Sequence, residues 1–141
     1  MAESPFPSIL ASTSTVKKNG EVREALASNG DDGTIPRNVR HFLYPAFFPD
    51  RKRDQIASRL SELGFSTRYA ECDHGLIVEE DREVASGDFD NLTEALAKMM
   101  REQGWEYDGW ECAVVRIAEQ EWSMRIPTDY LQMQPARWIR W

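Results

Sequence analysis

The chain has 141 residues, 41% of them hydrophobic and 29% charged, which is the length of about one domain with one modest core. No window holds the ~20 apolar residues of a membrane span, and MAESPFPSIL lacks the basic start and long apolar run of a secretory signal, so a cytoplasmic location is expected. A net charge of -7 argues against a protein that works by gripping phosphate backbones and suits a basic partner surface.

Residues 1–18, MAESPFPSILASTSTVKK, mix Ser, Thr and Pro without periodicity and are expected to form a poorly ordered arm. From Asn19 a helical face of Val22, Ala25 and Leu26 predicts a short helix, closed by Asn29-Gly30. Val39 to Phe47 alternates as a strand, with Pro45 ending or bulging its pairing. Asp50 is the expected cap of a second helix that carries Ile56, Ala57, Leu60 and Leu63 to a stop at Gly64. Arg51, Lys52 and Arg53 then sit in its first turn with the wrong sign for the helix dipole.

FSTRYAEC (65–72) and LIVEEDREV (76–84) read as strands joined by the hairpin turn Asp73-His74-Gly75. Leu92, Ala95, Leu96, Met99 and Met100 form the clearest helical stripe, ending at Gly104. The hexapeptide EYDGWE (106–111) is read as a turn, with Gly109 taking a conformation that other residues resist, and ECAVVRIAE behind it as the last strand.

The order strand, helix, strand, strand, helix, strand predicts an α+β, ferredoxin-like α/β sandwich (βαββαβ). It has a four-stranded antiparallel sheet in the order fourth, first, third, second, an extra N-terminal helix and a C-terminal tail. The expected organisation is an arm over 1–18, a domain over 19–119 and an aromatic tail over 120–141. That tail, with Trp122, Trp138, Trp141, Arg137 and Arg140, is read as a mobile arm, a docking peptide or an element packed on the sheet.

Alternation points Val39, His41 and Leu43 to the helices and Arg40, Phe42 and Tyr44 outward. It also points Ala113, Val115 and Ile117 inward, with Val114 and Arg116 outward, and leaves Arg68 outward on the second strand. His41 is then a hydrogen-bonded core histidine. Cys72 and Cys112 fall on opposite sheet edges, too far apart for a disulfide, and should stay reduced. With His41 and His74 as the only histidines and no paired spacing, neither a zinc site nor any other cofactor is expected.

An enzyme needs a nucleophile with its base, a metal cluster or a carboxylate pair. Asp108 with Glu106 or Glu111, and His41 with an acid across the sheet, are the only candidates, and in so acidic a chain such pairs arise by chance. Arginines interleaved with aromatics on the outward face suit base stacking, so RNA binding is the alternative function. Glu79, Glu80 and Asp81 on the third strand oppose it.

The segment EALASNGDDG, the strand VRHFLYPAF with His41, the stretch SELGFSTRY and above all EYDGWE resemble the RraB family, protein inhibitors of the endoribonuclease ribonuclease E. The likeness runs from about Glu21 to Val115, and the tyrosine-aspartate-glycine-tryptophan motif is its distinctive part. It implies a noncatalytic protein that binds ribonuclease E, or a related RNA-processing enzyme, on the same ferredoxin-like layout. Where better-known members carry a long acidic C-terminal tail, this chain has one containing Arg and Trp. The residues expected at the protein contact are Tyr107, Asp108 and Trp110, with Arg40, Phe42, Tyr44 and Arg116 on the open face.

Overall fold

The structure, a computed structural model, describes residues 10–46, 52–71, 74–116 and 138–141. The elements in chain order are α1 (Thr13–Ser28), β1 (Arg37–Pro45), α2 (Arg53–Glu62), β2 (Ser66–Tyr69), β3 (Leu76–Arg82), α3 (Gly87–Glu102), β4 (Trp105–Ala113) and β5 (Trp138–Arg140). All strand pairs are antiparallel, in the sheet order β2-β3-β1-β4-β5. The first four strands follow the order expected from the sequence. The sheet has five strands rather than four, because part of the tail adds β5 to the edge of β4.

Two stretches behave as their periodicity dictates. In β1 buried and half-buried residues alternate, with Val39, His41 and Leu43 inward and Arg40, Phe42 and Tyr44 on the other face. In α3 the stripe Leu92, Ala95, Leu96 and Met100 is buried, Met99 packs beside it, and Asp88 and Asp90 sit favourably in the first turn. One continuous core joins Val22 and Leu26 of α1, Ile56 and Leu60 of α2 and the α3 stripe to the inward residues of β1, β3 and β4. Among the described residues no helix is long and apolar enough to cross a membrane.

Helix α1 begins at Thr13, inside the stretch expected to be a poorly ordered arm. Ser12 caps it by accepting the Thr15 backbone N–H (3.2 Å), and the Thr15 hydroxyl donates to Glu94 of α3 (3.1 Å). Tertiary contacts therefore make helical a Ser/Thr stretch whose own propensity is weak. Helix α2 starts at Arg53 after Lys52, which has φ +62° and caps nothing with its side chain. The expected cap Asp50, Asp73 of the expected hairpin turn, Cys72, Ile117 and most of the tail lie outside the described residues.

The largest correction concerns EYDGWE. It lies within β4, which starts at Trp105 and not at Glu111, so the motif is strand and not a connecting turn. His41 pairs with Trp110 and Leu43 with Tyr107, which leaves Asp108 and Gly109 opposite the single residue Phe42. This is a β-bulge, and Gly109 supplies its left-handed residue with φ +91°. The extra residue reverses side-chain parity beyond it. Trp105 and Tyr107 point inward before the bulge, and Trp110, Cys112 and Val114 after it. Ala113 consequently stands opposite Trp138 on the open face and not in the core.

Candidate functional site

The bulge organises two sides of the sheet. On the core side, Trp110 is fully buried and its indole Nε1 donates to Asn19 Oδ1 (2.9 Å). Asn19 Nδ2 in turn donates to Asp90 Oδ1 (2.8 Å) and Thr93 Oγ1 (3.0 Å), and Arg23 clamps the same Asp90 at 2.7 Å. Trp110 meets Phe89 edge to face at 4.7 Å. The motif tryptophan thus ties β4 to α1 and α3.

Tyr107 also faces inward. Its hydroxyl lies 2.7 Å from His41 Nδ1, and His41 Nε2 lies 2.8 Å from the Glu80 carboxylate, which Arg82 holds from the other side at 2.5 Å. An ionised carboxylate only accepts, so His41 Nε2 carries the proton and Nδ1 accepts from the tyrosine. Burial would raise the Glu80 carboxyl, but hydrogen bonds from His41 and Arg82 and the Arg82 charge bring it below its ordinary value. Burial and the Glu80 charge push the Tyr107 phenol well above its ordinary range, keeping it a donor. His41 has no exposed surface. A histidine buried in this way orients its neighbours.

A second buried anchor closes the end of the sheet. Asp31 holds Arg37 by two bonds (2.5 and 2.9 Å) and accepts the backbone N–H groups of Gly33 and Val115 (both 2.8 Å). Burial acts to raise the Asp31 carboxyl, and these donors hold it below its ordinary value. Nearby Cys112 is a buried free thiol pushed up to about 11 by burial, the unreactive end of cysteine chemistry. Because β5 covers β4, Cys112 is not on a sheet edge.

The other side of the sheet carries the charges. Arg40 reaches Glu79 (2.9 Å) and Glu111 (3.4 Å), and its guanidinium stands 4.1 Å over the Trp138 ring. Arg140 meets Asp108 (3.1 Å) and lies 4.1 Å over Phe42. Arg68 faces Glu79 at 3.9 Å, and the Tyr44 hydroxyl donates to Glu106. The expected outward residues Arg40, Phe42 and Tyr44 are therefore gathered with Asp108 on one face.

The remaining expected residues lie elsewhere. Tyr107 and Trp110 point to the core beneath that face, and Arg116 is not on it. The Arg116 stem packs at the end of α1, with Cγ 3.8 Å from where a Gly30 Cβ would stand. Arg116 lies beyond the end of β4, which closes at Ala113.

Four residues that alternation in β1 and β4 does not reveal complete the arrangement. In residues 138–141, Trp138 and Arg140 lie on the charged face, whereas Ile139 and Trp141 pack toward the core beside α1. The Trp141 ring sits directly over Gly109, where a Cβ would fall 2.1 Å from the ring. It is 5.2 Å from the Tyr107 ring, with Lys18 Nζ 4.7 Å from its own. A hollow of about 430 Å³ opens here between α1 and β5. The period-two order Trp, Ile, Arg, Trp was the available signal for this strand, though too short to stand alone.

No curated protein and no solved structure matches the chain. A family model described as regulator of ribonuclease activity B matches residues 17–112, from within α1 nearly to the end of β4, so it takes in the whole bulge and its buried supports. The chain belongs to the RraB family, the regulators of ribonuclease activity B.

Proposed function

We propose that this chain is a noncatalytic, protein-binding regulator that lowers the activity of ribonuclease E, or of a related RNA-processing ribonuclease, by occupying part of its surface in the cytoplasm. The observation that carries the reading is the family match across residues 17–112. In this reading β1, α2, β2, β3, α3 and β4 form a ferredoxin-like sandwich within a domain spanning 19–119. Arg40, Phe42, Tyr44 and Asp108 supply the contact face, and Tyr107 and Trp110 act from beneath by fixing the bulge that presents Asp108. Arg116 contributes from the end of α1.

The interleaved arginines and aromatics favour a second reading, an RNA platform on the same face. Yet Arg40 is already engaged by two carboxylates and Arg140 by a third, and both lie on aromatic rings. A phosphate backbone approaching there would meet Glu79, Glu106, Asp108 and Glu111 among the cations, which favours a protein surface of mixed charge over a polyanion.

The test is a pull-down from cell extract with the tagged chain, with and without ribonuclease treatment and with the salt raised in steps, followed by an RNA-cleavage assay. Recovery of ribonuclease E after RNA digestion, together with inhibited cleavage, is the expected result. Recovery only of material lost on RNA digestion would replace the inhibitor reading by the RNA platform.

A further inference from the structure

The residues that receive 138–141 are all built by the rest of the chain. Trp138 pairs with Ala113, Ile139 with Cys112 and Arg140 with Glu111, and the Trp141 N–H donates to the Trp110 carbonyl (2.8 Å). Each outward side chain has a dedicated counterpart: Arg40 for the Trp138 ring, and Asp108 with Phe42 for the Arg140 guanidinium. On the inner side Gly109 leaves the space that the Trp141 ring fills. The receiving residues Lys18, Arg40, Phe42, Tyr107, Asp108 and Gly109 fall inside the family match, whereas the residues received fall outside it.

The fit is incomplete. Among the described residues three pair, and the Arg140–Asp108 contact stays 46% and 57% exposed, so solvent screens it. Among the described residues Trp141 Nε1 is buried with no hydrogen-bond partner, and it lies beside the hollow. Displacing a strand held this way would leave a sheet edge with receptors for alternate side chains, the geometry of peptide recognition by strand addition.

We propose that the outer edge of β4 is a strand-addition site for an extended segment of a protein partner that carries an arginine between large apolar side chains. Residues 138–141 hold that site in the free protein. The chemistry of the occupant follows from the receptors. Asp108 and the Phe42 face select a guanidinium, the space over Gly109 takes an aromatic ring, and the net charge of -7 favours a basic segment. The inference rests on the chain being a protein-binding regulator, and it adds where and in what form a partner segment would bind.

The test uses a fluorescently labelled peptide, PARWIRW, taken from residues 135–141, titrated by anisotropy into the full chain and into full chain carrying Trp141→Ala. In the unaltered chain the tethered segment competes at an effective concentration in the millimolar range. The variant should therefore bind the peptide at least tenfold more tightly. Adding Asp108→Lys should reverse the gain, and a peptide with glutamate in place of the arginine that corresponds to Arg140 should not bind. Circular dichroism checks the fold, and Arg140→Glu, an exposed change, repeats the titration with the core untouched.

Equal affinity for the unaltered chain and for both opened variants would overturn the proposal, as would equal binding of the glutamate peptide. The titration contains no ribonuclease, so its failure leaves the regulatory reading standing. Peptide binding by opened variants that never recover ribonuclease E would sustain the edge site and remove that reading.

Discussion

Replacing Gly109 by alanine imposes two separable penalties. At φ +91° a Cβ is strained by about 1–3 kcal/mol, and it would also overlap the Trp141 ring at 2.1 Å. Urea denaturation should show Gly109→Ala losing about 2–4 kcal/mol. In a Trp141→Ala background the overlap is gone, so the loss should fall to the strain alone, about 1–3 kcal/mol. Equal losses in the two backgrounds would mean that the ring does not pack there. An Asp-Gly pair is the strongest short-range turn signal, and so the sequence reads Tyr107 to Trp110 as a connection. A bulge uses the same left-handed glycine inside a strand, and local chemistry alone does not separate the two.

The helices differ in how far sequence reveals them. The α3 stripe was legible because a wide apolar face is a property of that segment alone. The beginning of α1 was not, since what orders it lies in α3 and β4: Glu94 beneath Thr15, and the Asp90, Thr93 and Trp110 groups around Asn19. Asn19→Ala should accordingly cost about 3 kcal/mol, because it strands buried donors and acceptors on two other elements. Ser12→Ala, which removes one exposed cap, should cost about 1 kcal/mol. Thermal melts of the two variants give the comparison, and equal shifts would show that α1 is held by its cap and not by its buried polar seam. In β4 the inward placement of Ala113 failed for a related reason: alternation carries no record of an inserted residue, and the β4 side chains beyond Gly109 change face.

For the whole molecule the two buried anchors set the response to acid. Asp31 and Glu80 both have folded-state values below their ordinary ones, because their donors outweigh burial. The unfolded chain thus takes up protons at higher pH than the folded chain. The stability contributed by both groups is complete above their unfolded values and is lost as pH falls through the folded ones, so Tm should drop steeply below about pH 4. Glu80→Gln should flatten that fall. Asp31→Asn should flatten it too and lower stability at neutral pH by about 3–5 kcal/mol, since it leaves the Arg37 charge buried without its counterion. Melts from pH 3 to 7 test this, and an unchanged pH profile in both variants would refute the assignment. The order of the first four strands was readable from the succession of elements, whereas β5, only three residues long, had no pattern long enough to place it.

The position of β5 also has a consequence in time. Its partner residues on β4 are made well before it, with 114–137 in between. At about 5–20 residues per second, a chain growing on the ribosome completes β4 on the order of seconds before residues 138–141 are joined to it. During that interval the bulge and the space over Gly109 are already encoded but their own cover does not yet exist. β5 is thus made after the other four strands of the described sheet, and its side chains are added to receptors already in the chain.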